Sequence, residues 1–538
     1  MVHMRKQTGG GRVGVWSTVP VPVALVLAFA VVTAGCTVGV RAADGDAGNG
    51  RKPGSSSATI RDSGDPVAVV DGDAPDALSV AASRALFEAA PVVVVAGTDD
   101  RPGIDDGAAQ AIRLGVPLLL VAPPAAVSQT AVTGHMAGAG TDPVPVGLAA
   151  EVARLGAHTV LATGVAAEGR LGKLPDVRVV TDGRKLPGAS PAGTASDVVV
   201  LVRTGTDGTA AAAAAASAKA ARARVIPVTG PDLRGDSTVI AALAERRPRR
   251  VLAVGSGFGS VDRLRDRLSV AETGIQLPGG GQVLFPGHRL VALYGHPGSP
   301  ELGVLGKQDV AASIARVKQL AADYAPLSSV AVVPTFEIIA TTAQGEPGED
   351  GDYSGESTVA SLRPWVEQAS AAGLYVVLDL QPGRAHFLDQ AKLYADLLRL
   401  PNVGLALDPE WRLGPHQKPL GQIGAVDAEE INSVITWLAD LTAAAKLPQK
   451  LLLLHQFQLS SIRAEQNIDL GRDQIQVLIH MDGQGSPALK DSTWLAVTRT
   501  APEGVPFGWK NFYHEDKPML SAADTMTRKP TPMMISYQ

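Results

Sequence analysis

The chain of 538 residues contains a single cysteine, Cys36. No intrachain disulfide can form, so stability has to come from burial of apolar surface. Aromatic residues make up 4% and charged residues 19%, and the formal net charge is only −5. So small an imbalance, without a basic stripe interleaved with aromatics, argues against a nucleic-acid binder. Nucleotide motifs are missing too: in Gly255-Ser256-Gly257-Phe258-Gly259 the third glycine of a dinucleotide turn should fall at the next position, where Ser260 stands. There is no Walker lysine motif, no G-x-S-x-G elbow and no H-E-x-x-H pair. No cofactor and no resident metal are expected.

What is present begins with an address. Arg5, Lys6 and Arg12 form a positive segment, followed by an apolar run from Val21 to Val32 that is short for a membrane span. Thr33-Ala34-Gly35-Cys36 then resembles a bacterial lipobox, with Thr33 in the place usually held by Leu. The resemblance implies a signal peptide over residues 1–36, lipidation at Cys36, and a protein attached to the cell membrane on its extracytoplasmic face. Residues 37–75, rich in Gly, Ser, Asp and Ala, are expected to be a flexible tether.

Beyond the tether the pattern alternates between strand and helix. Pro91–Gly97, Val116–Ala122 and Thr159–Gly164 read as buried strands with helices between them, and Asp197–Val202, Arg224–Thr229 and Arg250–Gly255 repeat the order. Such alternation predicts parallel sheets, here a duplicated flavodoxin-like α/β region with repeats over 76–185 and 186–270. The A-G-T-D-D, D-D-G-A-A-Q-A and G-V-P-L-L-L-V stretches between Val92 and Pro123 are similar to the cell wall-binding repeat type 2 of Gram-positive envelope proteins. That resemblance, loose over residues 80–270, implies a cell-wall polysaccharide or peptidoglycan as partner.

A Gly/Pro-rich linker over 271–288 precedes eight further apolar runs. They are Arg289–Tyr294, Ser329–Pro334, Tyr375–Leu380, Val403–Leu407, Lys450–Leu454, Gln474–Ile479, Val505–Trp509 and Pro532–Ser536. Eight strand–helix units in about 250 residues is the expected size of a (β/α)8, TIM-like barrel, here over 289–538.

Polar and aromatic residues gather where these runs end. Tyr294 closes the first and His296 follows it, Glu337 follows the second, Asp379 lies near the end of the third, and Asp408, Glu410 and Trp411 follow the fourth. His455 follows the fifth run, His480 and Asp482 the sixth, and Tyr537 the eighth. The C-terminal rim of a barrel is where chemistry sits. Asp408 and Glu410, two residues apart on an extended strand, would emerge on one face roughly 7 Å apart. Carboxylates with aromatic platforms suit glycoside hydrolysis, in which one acid donates a proton to the leaving oxygen and another stays charged beside the developing oxocarbenium.

The D-x-E at Asp408 and Glu410 resembles the end of the fourth strand in chitinase-type glycosidases and bacterial muramidases. By that resemblance Glu410 is the general acid, and Asp408 orients a substrate acetamido group or supports Glu410. The fuller D-x-x-D-x-D-x-E pattern would need Asp at Val403 and Ala406, which this chain lacks. Tyr294, His296, Glu337, Asp379, Trp411, His455, Asp482 and Tyr537 are the expected substrate-binding set. Two other readings stay open: a non-catalytic wall-binding or scaffold lipoprotein, and a divalent-metal hydrolase using the rim carboxylates and histidines. The acidic stretch Gly345–Glu356 is read as either a mobile lid or a solvated loop.

Overall fold

The computed structural model describes residues 57–61, 64–72, 74–123, 146–164, 170–171, 174–188, 197–204 and 208–538. The lipobox with Cys36 lies outside the described residues, as does most of the expected tether. Part of that tether is strand: β1 (Thr59–Ile60) and β2 (Val67–Val70) both fall within it. β1 pairs antiparallel with β3 (Phe87–Ala89), and β2 runs parallel to a strand almost two hundred residues away.

Two four-stranded parallel sheets follow the duplicated pattern. In the first, β4 (Val92–Gly97) lies between β5 (Leu118–Val121) and β6 (Thr159–Ala162), with β7 (Arg178–Val180) beyond β6. In the second, β8 (Val198–Arg203) lies between β9 (Arg224–Val228) and β10 (Arg250–Val254), and β2 occupies the edge that β7 fills in the first. The second sheet is therefore completed from the N-terminal side of the first. The alanine-rich helix Gly208–Ala220 explains how the two sheets share one core. Its small side chains let it lie against helices Pro75–Leu86 and Arg101–Leu114 at once, and Ser217 Oγ accepts from Leu118 N at 3.0 Å.

Twelve barrel-domain strands come next, eight of them forming the wall. β11 (His288–His296) carries the antiparallel β12 (Ser299–Gly303), and β13 (Ala331–Ala343) the antiparallel β14 (Ser354–Glu356). The wall continues with β15 (Tyr375–Leu380) and β16 (Val403–Leu407). After a short β17 (Val426–Asp427) come β18 (Lys450–His455), the short β19 (Ile462–Arg463), β20 (Ile475–Met481), β21 (Phe507–Asn511) and β22 (Met534–Tyr537). β11 pairs in parallel with both β13 and β22, so the eight parallel strands close into a barrel. Each of the eight apolar runs of the sequence overlaps one wall strand.

Alternation along the strands divides the core. Leu290 and Ala292, Val333, Tyr375 and Val377, Ala406, Leu451 and Leu453 fill the lower barrel, where Leu277 and Leu284 of the linker join them. Val291 and Leu293, Phe336, Val376, Leu405, Leu452 and Ile535 face the surrounding helices. The N-terminal end of the barrel is thus plugged, which leaves the C-terminal rim for function. Below the plug, Asp473 accepts from Arg263 Nε and Arg267 Nε, both at 2.8 Å, tying the second α/β sheet's last helix to the loop before β20. Among the described residues no helix is long and apolar enough to cross a membrane.

Candidate active site

One inward-facing polar side chain rises from each wall strand at the level above the apolar plug, except that Asp408 stands one residue past the end of β16. Around the barrel these are Tyr294, Glu337, Asp379, Asp408, His455, His480, Lys510 and Ser536, and all are buried. A complete ring of polar groups where packing alone would place aliphatics is the mark of a functional rim. Apart from Lys510 and Ser536, this ring is drawn from the residues singled out in the sequence.

The ring's centre is His455. Its Nε2 lies 2.9 Å from Glu337 Oε1 and 3.7 Å from Asp379 Oδ1, and its Nδ1 lies 3.2 Å from Asp482 Oδ2. Burial disfavours the imidazolium, but Asp482 and Glu337 outweigh it, and the net effect raises the His455 pKa well above the ordinary value. The neighbouring His480 goes the other way. Burial together with the His455 and Lys510 charges holds it neutral, and its Nε2 lies 2.7 Å from Ser536 Oγ. Gly508 opposite makes room for that ring, because a Cβ there would sit 2.0 Å from His480 Nδ1.

Tyr294 Oη donates to Asp379 Oδ2 at 3.0 Å and accepts from Gln381 Nε2 at 3.3 Å. Lys510 Nζ lies 3.5 Å from the centre of the Tyr294 ring, a cation–π contact that keeps its charge at the rim. The backbone of Lys510 is fixed from behind, where the buried Lys490 Nζ donates to Lys510 O at 2.6 Å and pairs with Asp516.

Above the ring opens a cleft of about 490 Å³. Asp408, Glu410 and Asp482 line it together with Tyr294, Lys510 and Trp411. Phe457 and Phe512 add aromatic surface, and Glu301 and Leu302 reach in from β12. That strand folds tightly back over the rim: a Cβ at Gly303, whose φ is +105°, would meet Tyr294 O at 2.6 Å. Glu410 reaches the cleft by a different route from the one expected. β16 ends at Leu407 and Pro409–Trp411 form a 3-10 turn, so a turn and not a pleat brings Asp408 and Glu410 into the same cleft.

Three carboxyls here hold their protons more tightly than usual. Burial, reinforced by Asp482 and Asp379, pushes Glu410 up to about 7 against the pull of Lys510 and His455. Burial and the adjacent Glu410 drive Asp408 well above the carboxylate range. Asp379 rises to about 6, through burial and the charge of Glu337. Asp482 is the exception: burial would raise it, but contact with His455 wins and holds it below the ordinary value.

No protein-family model matches the chain, and neither does any curated protein. Among solved structures the chain is similar to Cwp6 from Clostridium difficile, at 10% identity and a TM-score of 0.26, over 64% of this chain. It spans 62% of that protein's length. A likeness of that size carries no argument about this chain.

The remaining expected site residues fall into three groups. Glu337, Asp379 and His455 belong to the ring but do not line the cleft; they underlie it. His296 leaves the site, because the register shifts between Gly295 and His296, and its Nε2 lies 3.1 Å from Ser357 Oγ. Tyr537 faces the helix layer, not the barrel interior, and its Oη lies 2.6 Å from Tyr324 Oη. The stretch Gly345–Glu356 is not a free lid either. Its end forms β14, Tyr353 is buried under Arg384 at 4.4 Å, and its residues do not line the cleft. Among the described residues no group of three or more His, Cys, Asp or Glu is arranged to hold a metal ion.

Proposed function

We propose that the chain is a lipid-anchored, extracytoplasmic envelope protein whose barrel is a glycoside hydrolase acting on cell-wall polysaccharide. The observation that carries the hydrolase reading is the contrast within one cleft: Glu410 titrates at about 7 while Asp482 is held charged. Two carboxyls with pKa values driven apart are the requirement for an acid and its charged counterpart. Glu410 then donates its proton to the leaving glycosidic oxygen. Asp482 faces the positive charge that develops on the sugar ring, and Asp408, itself protonated, supports Glu410. Trp411 and Phe457 offer flat apolar faces to pyranose rings.

The address rests on the lipobox resemblance around Cys36, and the cell-wall partner on the resemblance to wall-binding repeats. A Cys36→Ala variant should lose incorporated palmitate and leave the membrane fraction; retention with label intact would remove the anchor. For the activity, the purified protein and Glu410→Gln are compared on a panel of wall polysaccharides by release of reducing ends. A loss of at least about a hundredfold in the variant is expected for a general acid. Equal turnover by both proteins would remove Glu410 from the chemistry, and selective glycan binding without turnover by either would favour the wall-binding reading.

A further inference from the structure

The cleft is unusual in what its polar atoms lack. Asp408 and Asp482 both line it, and their side chains are 3% and 7% exposed. Asp408 Oδ1 and Asp482 Oδ1 are nonetheless buried with no hydrogen-bond partner among the described residues. An unpaired buried acceptor is costly, and native sites keep such atoms where a ligand supplies the donor. Glu410 and Glu301 line the same space, and Glu337 and Asp379 lie beneath it. Against these six carboxyls stand two cations, both already engaged: His455 between its carboxylates, and Lys510 over the Tyr294 ring.

We propose that the cleft binds a primary ammonium group between Asp408 and Asp482, and that the substrate is a polysaccharide carrying free, not N-acetylated, amino sugars. This rests on the hydrolase reading for the word substrate, but the ammonium site itself does not. An ammonium offers three donors and a positive charge, which matches two orphaned acceptors, one on the charged Asp482 and one on a carboxyl that a neighbouring cation helps to ionise. An acetamido group offers one N–H and a carbonyl that itself needs a donor. Its methyl needs apolar surface where these two carboxyls stand.

Binding a cation beside Asp408 also favours its ionised form. The groups that face Asp408 are Glu410 on its own turn, Asp379 on β15, His455 on β18 and Asp482 just past β20, with Tyr294 and Lys510 across the ring. At neutral pH the ammonium should therefore displace a proton from this carboxyl cluster.

The test uses the intact protein, a glucosamine tetramer and its N-acetylated counterpart, by calorimetry at low salt near pH 6.5 in two buffers of different ionisation enthalpy. The glucosamine tetramer should bind at least about tenfold more tightly and release protons to the buffer, and Asp408→Asn should reduce the release. Equal or tighter binding of the N-acetylated tetramer, or no binding of either, overturns the proposal. The wild-type comparison needs no variant, so a misfolded Asp408→Asn cannot blur it. Cleavage is followed in parallel. Selective glucosamine binding without cleavage supports the ammonium site and counts against the hydrolase; cleavage of the N-acetylated tetramer alone overturns the ammonium site and leaves the hydrolase.

Discussion

Asp482 and Glu410 line one cleft and are driven to opposite protonation states, the first by its contact with His455 and the second by burial among like charges. Turnover should follow that split. With Glu410 as acid, kcat/KM should hold steady through the weakly acidic range and fall as pH rises through about 7. The acidic limb should lie low, because Asp482 stays ionised below the ordinary carboxylate pKa. A profile that rises through pH 7 would require Glu410 to act as a base.

His455 is the group that keeps Asp482 charged, so its removal should show in two measurements. His455→Ala leaves Glu337 and Asp482 buried without their shared cation, which should cost on the order of 3 kcal/mol in chemical denaturation. Where the variant still folds, the acidic limb of the pH–rate profile should move upward, because burial then acts on Asp482 without its strongest opponent. A residue that only filled space would lower stability and leave that limb where it was.

A raised carboxyl pKa also predicts a stability cost at the site. Between about 4.5 and about 7 the folded state binds a proton at Glu410 that the unfolded chain has already released, so stability falls as pH rises through that window. Glu410→Gln has no charge to bury. It should match the wild type near pH 4 and be more stable above pH 7, by up to about 3 kcal/mol. Urea titrations at the two pH values decide it: an unchanged difference would mean that Glu410 is solvated.

Much of this was legible in the sequence, for identifiable reasons. Barrel strands buried on both faces read as uninterrupted apolar runs, and Tyr375–Leu380 and Val403–Leu407 coincide with β15 and β16 to the residue. The apolar run Ser329–Pro334 covers only the start of β13, which continues through Pro334 to Ala343. β2 is only V-A-V-V among Gly and Asp, and its partner β10 is far away in sequence, so no local signal marked it as part of a sheet.

At the site, period-two alternation decides which strand-end residues enter the ring. Ile535 faces the helices, so Tyr537 must as well, leaving Ser536 for the ring. The same parity places Lys510 inward, because Trp509 packs outward. His296 obeys the alternation in sequence but not in space, because the irregularity at Gly295 turns the chain away. The opposed titrations of Glu410 and Asp482 depend on which strands close the barrel beside each other, and no spacing along the chain encodes that.

The joint between the α/β region and the barrel should be sensitive to acid. Asp473 accepts from Arg263 and Arg267 and sits beside Arg234, and though burial opposes it, these guanidinium groups hold its carboxyl far below the usual range. A depressed carboxyl pKa stabilises the fold fully above the unfolded value of about 3.9 and loses that contribution as pH falls further. Asp473→Asn keeps the shape but leaves Arg267, about 10% exposed, with Asp232 as its remaining charge partner, 3.2 Å away. The variant should lose about 2 kcal/mol at neutral pH, less than a fully buried pair because water reaches Arg263. The gap to wild type should begin to narrow only below about pH 4 and still be partly open at pH 3, and limited proteolysis should cut first in the 271–288 linker. Turnover per folded molecule should be unchanged, because Asp473 lies at the plugged end of the barrel; a loss of turnover would mean that the joint bears on the cleft.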